Sequence, residues 1–237
     1  MGGLKRRVLK FGGTSVGTAP ALRSALGIAE AAARERPVVV VVSALSGVTD
    51  ALEAALAGAA ARRLDVPGFA AAVRARHLAL LGAVAHGRPA ARAAARIGEG
   101  LDGLKARLRS VAADRSFSAA ARAGILALGE RASAAIVVAA LRARGVEADA
   151  VDGASLIRTD AGFAEAAVDY PSTRSLVRAA IGSLGVRPVP VVTGFVAGAG
   201  PARRRSSAAG GRTSPPRSSA GRSMRSTSRS GPTWTAS

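Results

Sequence analysis

The sequence predicts a three-layer α/β sandwich with a mainly parallel central sheet, and three observations carry that prediction. Val38–Val42 is an unbroken β-branched run after Pro37, as expected of a strand buried on both faces. Val8 and Leu9 read as the end of a second buried strand, which leads through Lys10 and Phe11 into a Gly-rich turn. Val189–Thr193 forms a third run. Long Ala/Leu/Arg segments of helical period separate these runs, and strands alternating with helices imply parallel pairing with helices on both faces.

The elements follow in order. Helical periodicity fills Ala21–Arg34 and Thr49–Ala61. Pro67–Val111 reads as two or more helices, with breaks expected at Gly87, Pro89 and Gly98-Glu99-Gly100. Phe117–Arg144 reads as one long helix ended by Gly145, which supplies the left-handed residue that closes many helices. Val146–Val151 reads as a short strand, and Tyr170-Pro171 opens a helix to about Leu184, with proline where its missing N–H costs nothing. After Phe195 the composition changes: Ala197–Ser237 is rich in Ser, Arg, Pro and Gly and has almost no aliphatic residue. It reads as a disordered basic tail, because it offers too little apolar surface to offset the entropy of ordering.

Nearly half of the 237 residues are hydrophobic, enough for a sizeable core. No cysteine is present, which excludes disulfides and thiolate metal sites. His77 and His86 lie in an Ala/Arg-rich stretch without ligand spacing and read as surface residues, so no metal held by side chains is expected. No N-terminal apolar run precedes a cleavage site and no run is read as reaching transmembrane length, so a cytoplasmic protein with no membrane partner is expected. The net charge of +19 raises the question of nucleic acid. Eight arginines and no acidic residue fall in Arg203–Ser237, the other arginines are scattered, and lysine occurs only three times. Specific nucleic-acid binding is therefore not expected, and the tail holds only Trp234 for stacking on bases.

The segment Val8-Leu9-Lys10-Phe11-Gly12-Gly13-Thr14-Ser15-Val16 carries the most chemistry. Glycines let backbone N–H groups approach an anion, and the helix that follows presents its positive end. Lys10 adds a full charge for terminal phosphates. The lysine precedes the glycines, so this is not a Walker A loop. Ser43 and Thr49 flank a second strand-to-helix turn, Ser43-Ala44-Leu45-Ser46-Gly47-Val48-Thr49-Asp50. Glu130, in Gly129-Glu130-Arg131, is a carboxylate inside an apolar helix and needs a partner there; pairing with Arg131 or Arg158 would serve as well as a ligand.

These segments, with Leu156-Ile157-Arg158-Thr159-Asp160 and Val191-Val192-Thr193-Gly194-Phe195, occur in the order found in aspartate kinases. The chain resembles that group of the amino-acid kinase family from about Val8 to Phe195, more closely than it resembles acetylglutamate, glutamate or uridylate kinases. The resemblance implies the amino-acid kinase fold, incomplete at its C-terminus, with residues 4–196 as the N-terminal part of the catalytic domain and 197–237 as the tail. It implies transfer of the ATP γ-phosphate to the side-chain carboxylate of L-aspartate, the first step towards lysine, threonine and methionine. Lys10 would be catalytic. Lys10, Phe11, Gly12, Gly13 and Ser43 would bind ATP, which arrives with Mg²⁺. Thr49 and Glu130 would bind aspartate, Glu130 through its α-amino group. Lys10 and Glu130 are expected in one cleft at the C-terminal ends of the strands. Intact relatives are expected to be homo-oligomers.

Two motifs of the family are missing after Phe195: an Arg-Gly-Gly-Ser-Asp loop and a Trp-Thr-Asp-Val-Asp-Gly strand and turn. Back-translated and read one base earlier, Gly210–Ala220 can spell Gly-Gly-Ser-Asp-Phe-Ser-Ala-Ala-Leu-Val-Gly. Arg229–Ser237 can spell Glu-Ile-Trp-Thr-Asp-Val-Asp-Gly-Val. Trp234 has a single codon, so the aspartate read across Trp234-Thr235 is forced. A frameshift between about Phe195 and Ser206 is expected, and with it an inactive product. The alternative from another class is a non-enzymatic protein that binds nucleic acid through its Arg/Ser tail, electrostatically and with strong salt dependence.

Overall fold

The computed structural model describes residues 6–159, 168–194 and 198–199. The chain divides into two units, Met1–Ala202 and Arg203–Ser237. The second unit lies wholly outside the described residues. The expectation of a disordered tail over 197–237 needs correction at Gly198–Ala199, which pair in parallel with Arg158–Thr159; the rest of that segment lies outside the described residues.

Strand β1 (Arg7–Phe11) leads through a single helical turn, α1 (Gly13–Val16), into α2 (Ala19–Glu35). The Thr18 hydroxyl caps α2 by accepting from Ala21 N at 3.4 Å, so one of the first-turn N–H groups that a helix leaves without a partner is satisfied. Strand β2 (Val38–Val42) follows, then four helices: α3 (Val48–Ala60), α4 (Val66–Val84), α5 (Gly87–Asp114) and α6 (Ala119–Ala143). The chain returns through β3 (Ala148–Val151), α7 (Gly153–Leu156), β4 (Arg158–Thr159), α8 (Tyr170–Ser183), β5 (Val189–Thr193) and β6 (Gly198–Ala199).

The main sheet runs β1-β2-β5-β3 with every pairing parallel. The short strands β4 and β6 form a second parallel pair. This bears out the α/β class and the parallel sheet. One face of the sheet carries Val38, Val40, Val42, Val189 and Val191, all buried in a single cluster with residues of α2 through α6. The cluster is closed from the helical side by α6, buried nearly all round from Ala132 to Leu141. On the other sheet face Val39, Val41 and Val192 are half-buried, and Val8 on the edge strand is exposed.

Several sequence expectations need correction. Gly98 and Gly100 do not break α5, which runs unbroken for 28 residues. Two glycines cost about 1 kcal/mol each in a helix interior. The stripe Ala93, Ile97, Leu101, Leu104, Leu108 and Val111 is buried along the same helix and offsets that cost. His77 is not at the surface: it is wholly buried on the inner face of α4, with Val66, Ala70, Val73, Leu80 and Leu81. Its Nδ1 lies 2.7 Å from the Val73 carbonyl, so Nδ1–H donates there, and Nε2 has no hydrogen-bond partner among the described residues. His86 is exposed, just before α5, as expected. Finally, α6 is long and apolar enough to cross a membrane, contrary to the expectation that no run reaches that length. Its most apolar stretch is 78% buried inside the domain, as for a core helix.

Burial of His77 holds its pKa below the ordinary 6.5, with the Arg76 charge adding to the effect. A base whose folded pKa is depressed gives stability that is fully present above the unfolded value and is lost as pH falls through the folded one. The protein is therefore expected to lose stability as pH drops below about 6.5. Urea midpoints for the wild type and His77→Leu at pH 7.5 and pH 5 check this: the wild type should fall more steeply between the two. Parallel profiles would remove His77 as the cause.

Candidate active site

All four strands of the main sheet end on one edge, and each end runs into glycine within a few residues: Gly12-Gly13 after β1, Gly47 after β2, Gly153 after β3 and Gly194 after β5. The loops there are bonded to one another. Ser43 N donates to the Phe11 carbonyl at 3.2 Å and Ser46 N to the Gly13 carbonyl at 3.2 Å. Gly194 N donates to the Val42 carbonyl at 2.8 Å. A Cβ on Gly13 would stand 2.8 Å from the Ala44 carbonyl oxygen and 3.2 Å from Ser46 N, so only glycine lets the first two loops close together. The β1 and β2 loops thus form one unit, with Gly13 at its centre.

Lys10 is exposed and stands in register with Val41 of β2. Its neighbours Leu9 and Phe11 pack towards the core cluster, so the pleat turns Lys10 to the opposite sheet face. Gly12 and Gly13 follow at once, and the short turn α1 begins there, with Ser15 N and Val16 N bonded back to the Gly12 carbonyl at 3.0 and 3.3 Å. Ser43 is half-buried at the end of β2, and Thr49 is exposed in the first turn of α3.

Glu130 reaches the same edge from α6 and is 7% exposed. The preceding Gly129 is what allows this: a Cβ there would lie 2.9 Å from Ala44 Cβ and 3.0 Å from Val48 Cγ1, so α6 sits directly against the loop that carries Ser43 and Thr49. The expectation that Lys10 and Glu130 face one cleft needs correction: Lys10 stands on the sheet face away from the core cluster, whereas α6, which carries Glu130, packs on the cluster side, so the two share only the C-terminal edge. A ligand touching both has to lie across the edge, outside the strand ends, which is where open parallel sheets bind their ligands.

Sequence reasoning gave no role to a second cluster beside this one. Arg131 pairs with Asp152 at 2.7 Å, both nitrogens Nε and Nη2 donating to Oδ2. Asp152 Oδ1 accepts from Ala154 N at 3.2 Å and from the Thr193 hydroxyl at 3.4 Å. Gly153 N donates to Thr193 Oγ1 at 2.8 Å in a buried bond. Arg131 thus ties α6 to the end of β3, and Thr193 ties β3 to β5. The signal was available in part: Asp152-Gly153 and Thr193-Gly194 each pair a polar side chain with a glycine at a strand end. Arg158 stands apart in β4, its N–H bonded to the Thr173 hydroxyl at 2.9 Å. A cavity of about 540 Å³ lies behind the Arg131–Asp152 pair, between α4, α5 and α6, and none of Lys10, Gly12, Gly13, Ser43, Thr49 or Glu130 lines it. Among the described residues no group of three His, Asp or Glu is placed to hold a metal ion.

Residues 5–211 match the amino acid kinase family. The chain belongs to the amino acid kinase family. Within it, the chain is similar to aspartokinases. It is 28% identical over 162 residues to the aspartokinase of Chlamydia muridarum, covering 68% of this chain and 33% of that protein. The structure of E. coli aspartokinase III in complex with aspartate and ADP superposes with a TM-score of 0.69 at 26% identity, over 81% of this chain and 41% of that one. The same enzyme in complex with lysine and aspartate gives 0.66 at 28% identity, over 80% and 41%. Aspartate kinase of Clostridium acetobutylicum, at 18% identity and a TM-score of 0.59 over 81% and 39%, shares the fold. The chain thus spans about a third to two-fifths of the length of the aspartokinases it matches.

Proposed function

We propose that this chain carries the phosphate-holding and aspartate-holding part of an aspartate kinase catalytic domain. The observation that carries the reading is the joined β1 and β2 loops, where Gly13 packs against the Ala44 carbonyl, with Lys10 beside them and Glu130 at the same edge. ATP fits this set of groups: its phosphates need closely approaching backbone N–H groups and a cation, and both are supplied without a bulky side chain in the way. ATP brings the transferable phosphoryl group, with Mg²⁺ as its counter-ion. In the reaction a side-chain carboxylate oxygen of aspartate bonds to the γ-phosphorus while the bond from that phosphorus to the β,γ-bridging oxygen breaks. The products are 4-phospho-L-aspartate and ADP, with no proton transferred.

Each residue has a role set by charge. Two anions must meet, so positive charge and fixed donors matter more than covalent chemistry. Lys10 offsets charge on the β- and γ-phosphates. The backbone N–H groups of Gly12 and Gly13, with the Ser43 hydroxyl, hold phosphate oxygens, and Phe11 ends the strand that presents them. Glu130 accepts from the α-ammonium of aspartate, and the Thr49 hydroxyl donates to a substrate carboxylate. Placing both reactants together is worth about 7–11 kcal/mol of the barrier in well-oriented cases.

The frameshift read after Phe195 bears on activity. In that reading the loop and strand that complete the aspartate and adenine sites are encoded one base away from the frame translated here. The 237-residue chain is then expected to show no aspartate-dependent ATP turnover, and a frame-restored gene with its downstream sequence to show it. A coupled assay for ADP release with and without aspartate checks both. Robust turnover by the 237-residue chain would refute the frameshift reading's functional half, and an inactive, folded, frame-restored protein would refute the assignment of the substrate.

A further inference from the structure

The turn from Ser46 to Gly47 joins the end of the β2 loop to the start of α3. Both residues are exposed, and Gly47 stands at φ +74°, in the left-handed region that favours glycine. Yet this turn sets two things. Its Ser46 N–H holds the Gly13 loop through the 3.2 Å bond to the Gly13 carbonyl, and it starts α3, whose first turn carries Thr49. A support comes from a distant part of the chain: the Arg76 guanidinium, on α4, donates through Nη2 to the Ser46 carbonyl at 2.5 Å. Its other terminal nitrogen lies 3.9 Å from where a Cβ on Gly47 would be, so the guanidinium sits against the turn itself. Arg76 makes no ion pair among the described residues, so this bond is not incidental to a salt bridge with another helix. The next residue, His77, is wholly buried and anchors that turn of α4 in the core.

We infer that Arg76 is a positioning residue: it clamps the Ser46–Gly47 turn from α4 and thereby keeps the Gly13 loop and the Thr49 helix start in the geometry that binds phosphate and substrate. The geometry reaches three steps, from the core-anchored α4 to the Ser46 carbonyl, from the Ser46 N–H to the Gly13 carbonyl, and from Gly13 to the strand end beside Lys10. A hydrogen bond with one charged partner is stronger than a neutral one, which suits a single exposed contact that must hold a loop. The consequence for ligand rests on the phosphate reading above; the consequence for the loop does not.

Amide exchange in the 237-residue protein tests the assignment, comparing wild type with Arg76→Ala and Arg76→Lys. In Arg76→Ala the Ser46 and Val48 amides should exchange about tenfold faster, a change equal to one ordinary hydrogen bond. The amides of Ile136–Leu141 in α6 should change less than about twofold, as for a local opening. Arg76→Lys keeps a charged donor and should restore most of the protection. Inorganic triphosphate, titrated into the same samples, should bind about tenfold more weakly to Arg76→Ala, in proportion to the loss of loop order. Unchanged Ser46 and Val48 exchange in Arg76→Ala would overturn the inference, and so would equal acceleration in α6, which would make Arg76 a general stabiliser. If triphosphate binds neither protein, the phosphate reading fails, while the exchange data still decide the role of Arg76.

Discussion

Replacing Lys10 by alanine in the frame-restored kinase is expected to lower kcat by at least 10²–10³-fold, the range lost when one fixed stabiliser of developing charge is removed. Aspartate and the γ-phosphate are both anionic, and Lys10 is the cation that the described fold sets immediately before the Gly12-Gly13 turn. Folding should be nearly indifferent to the change. Lys10 is exposed, in register with Val41, and makes no ion pair among the described residues. Its loss should therefore shift stability by no more than about 0.5 kcal/mol. Steady-state kinetics with a parallel denaturation curve separate the two effects. Unchanged kcat would take Lys10 out of the reaction. A large loss of stability would mean that Lys10 holds the fold.

The second large effect is structural. Gly153→Ala is expected to destabilise the protein by about 3 kcal/mol, from overpacking and a disturbed buried hydrogen bond together. The new Cβ would stand 2.3 Å from the Thr193 carbonyl oxygen, a backbone atom that cannot move aside cheaply. It would also push against Thr193 Oγ1, which accepts from Gly153 N at 2.8 Å. The β3 and β5 ends would separate, and the Asp152 side chain that pairs with Arg131 would lose its bond from the Thr193 hydroxyl. Urea denaturation of the two proteins reads the difference directly. A loss under about 0.5 kcal/mol would show that the two strand ends are not packed as described.

What could be read from the sequence depended on whether local pattern or distant packing decided the outcome. Val38–Val42 and Val189–Thr193 form strands because short β-branched runs bounded by turn residues favour a buried β-element. Gly13 marks a strand end because backbone had to approach backbone there, and the Ala44 carbonyl is what it approaches. The burial of His77 was hidden by its alanine and arginine neighbours. Only the spacing from Val73 to Leu80 and Leu81 placed it on the inner stripe of α4, and that stripe is faint because α4 is apolar on several sides. The glycines of α5 suggested a break, since the leucines that hold α5 straight act through α6, which starts beyond the following turn. The Arg131–Asp152 pair and the Arg76 contact join residues 21 and 30 positions apart. No periodicity records such pairs; they follow from which strand ends the sheet order brings side by side.

The phosphate edge itself can be tested without turnover. The measurement is a titration of the isotopically labelled 237-residue protein with Mg·ADP, following backbone amide shifts, for wild type and Lys10→Ala. The account predicts saturable shifts concentrated at Phe11, Gly12, Gly13, Ser43, Ser46 and Gly47, and their loss or strong weakening in Lys10→Ala. Shifts confined to the N-terminal ends of the strands or to the cavity between α4, α5 and α6, or no saturable shift at all in the folded wild type, would contradict it.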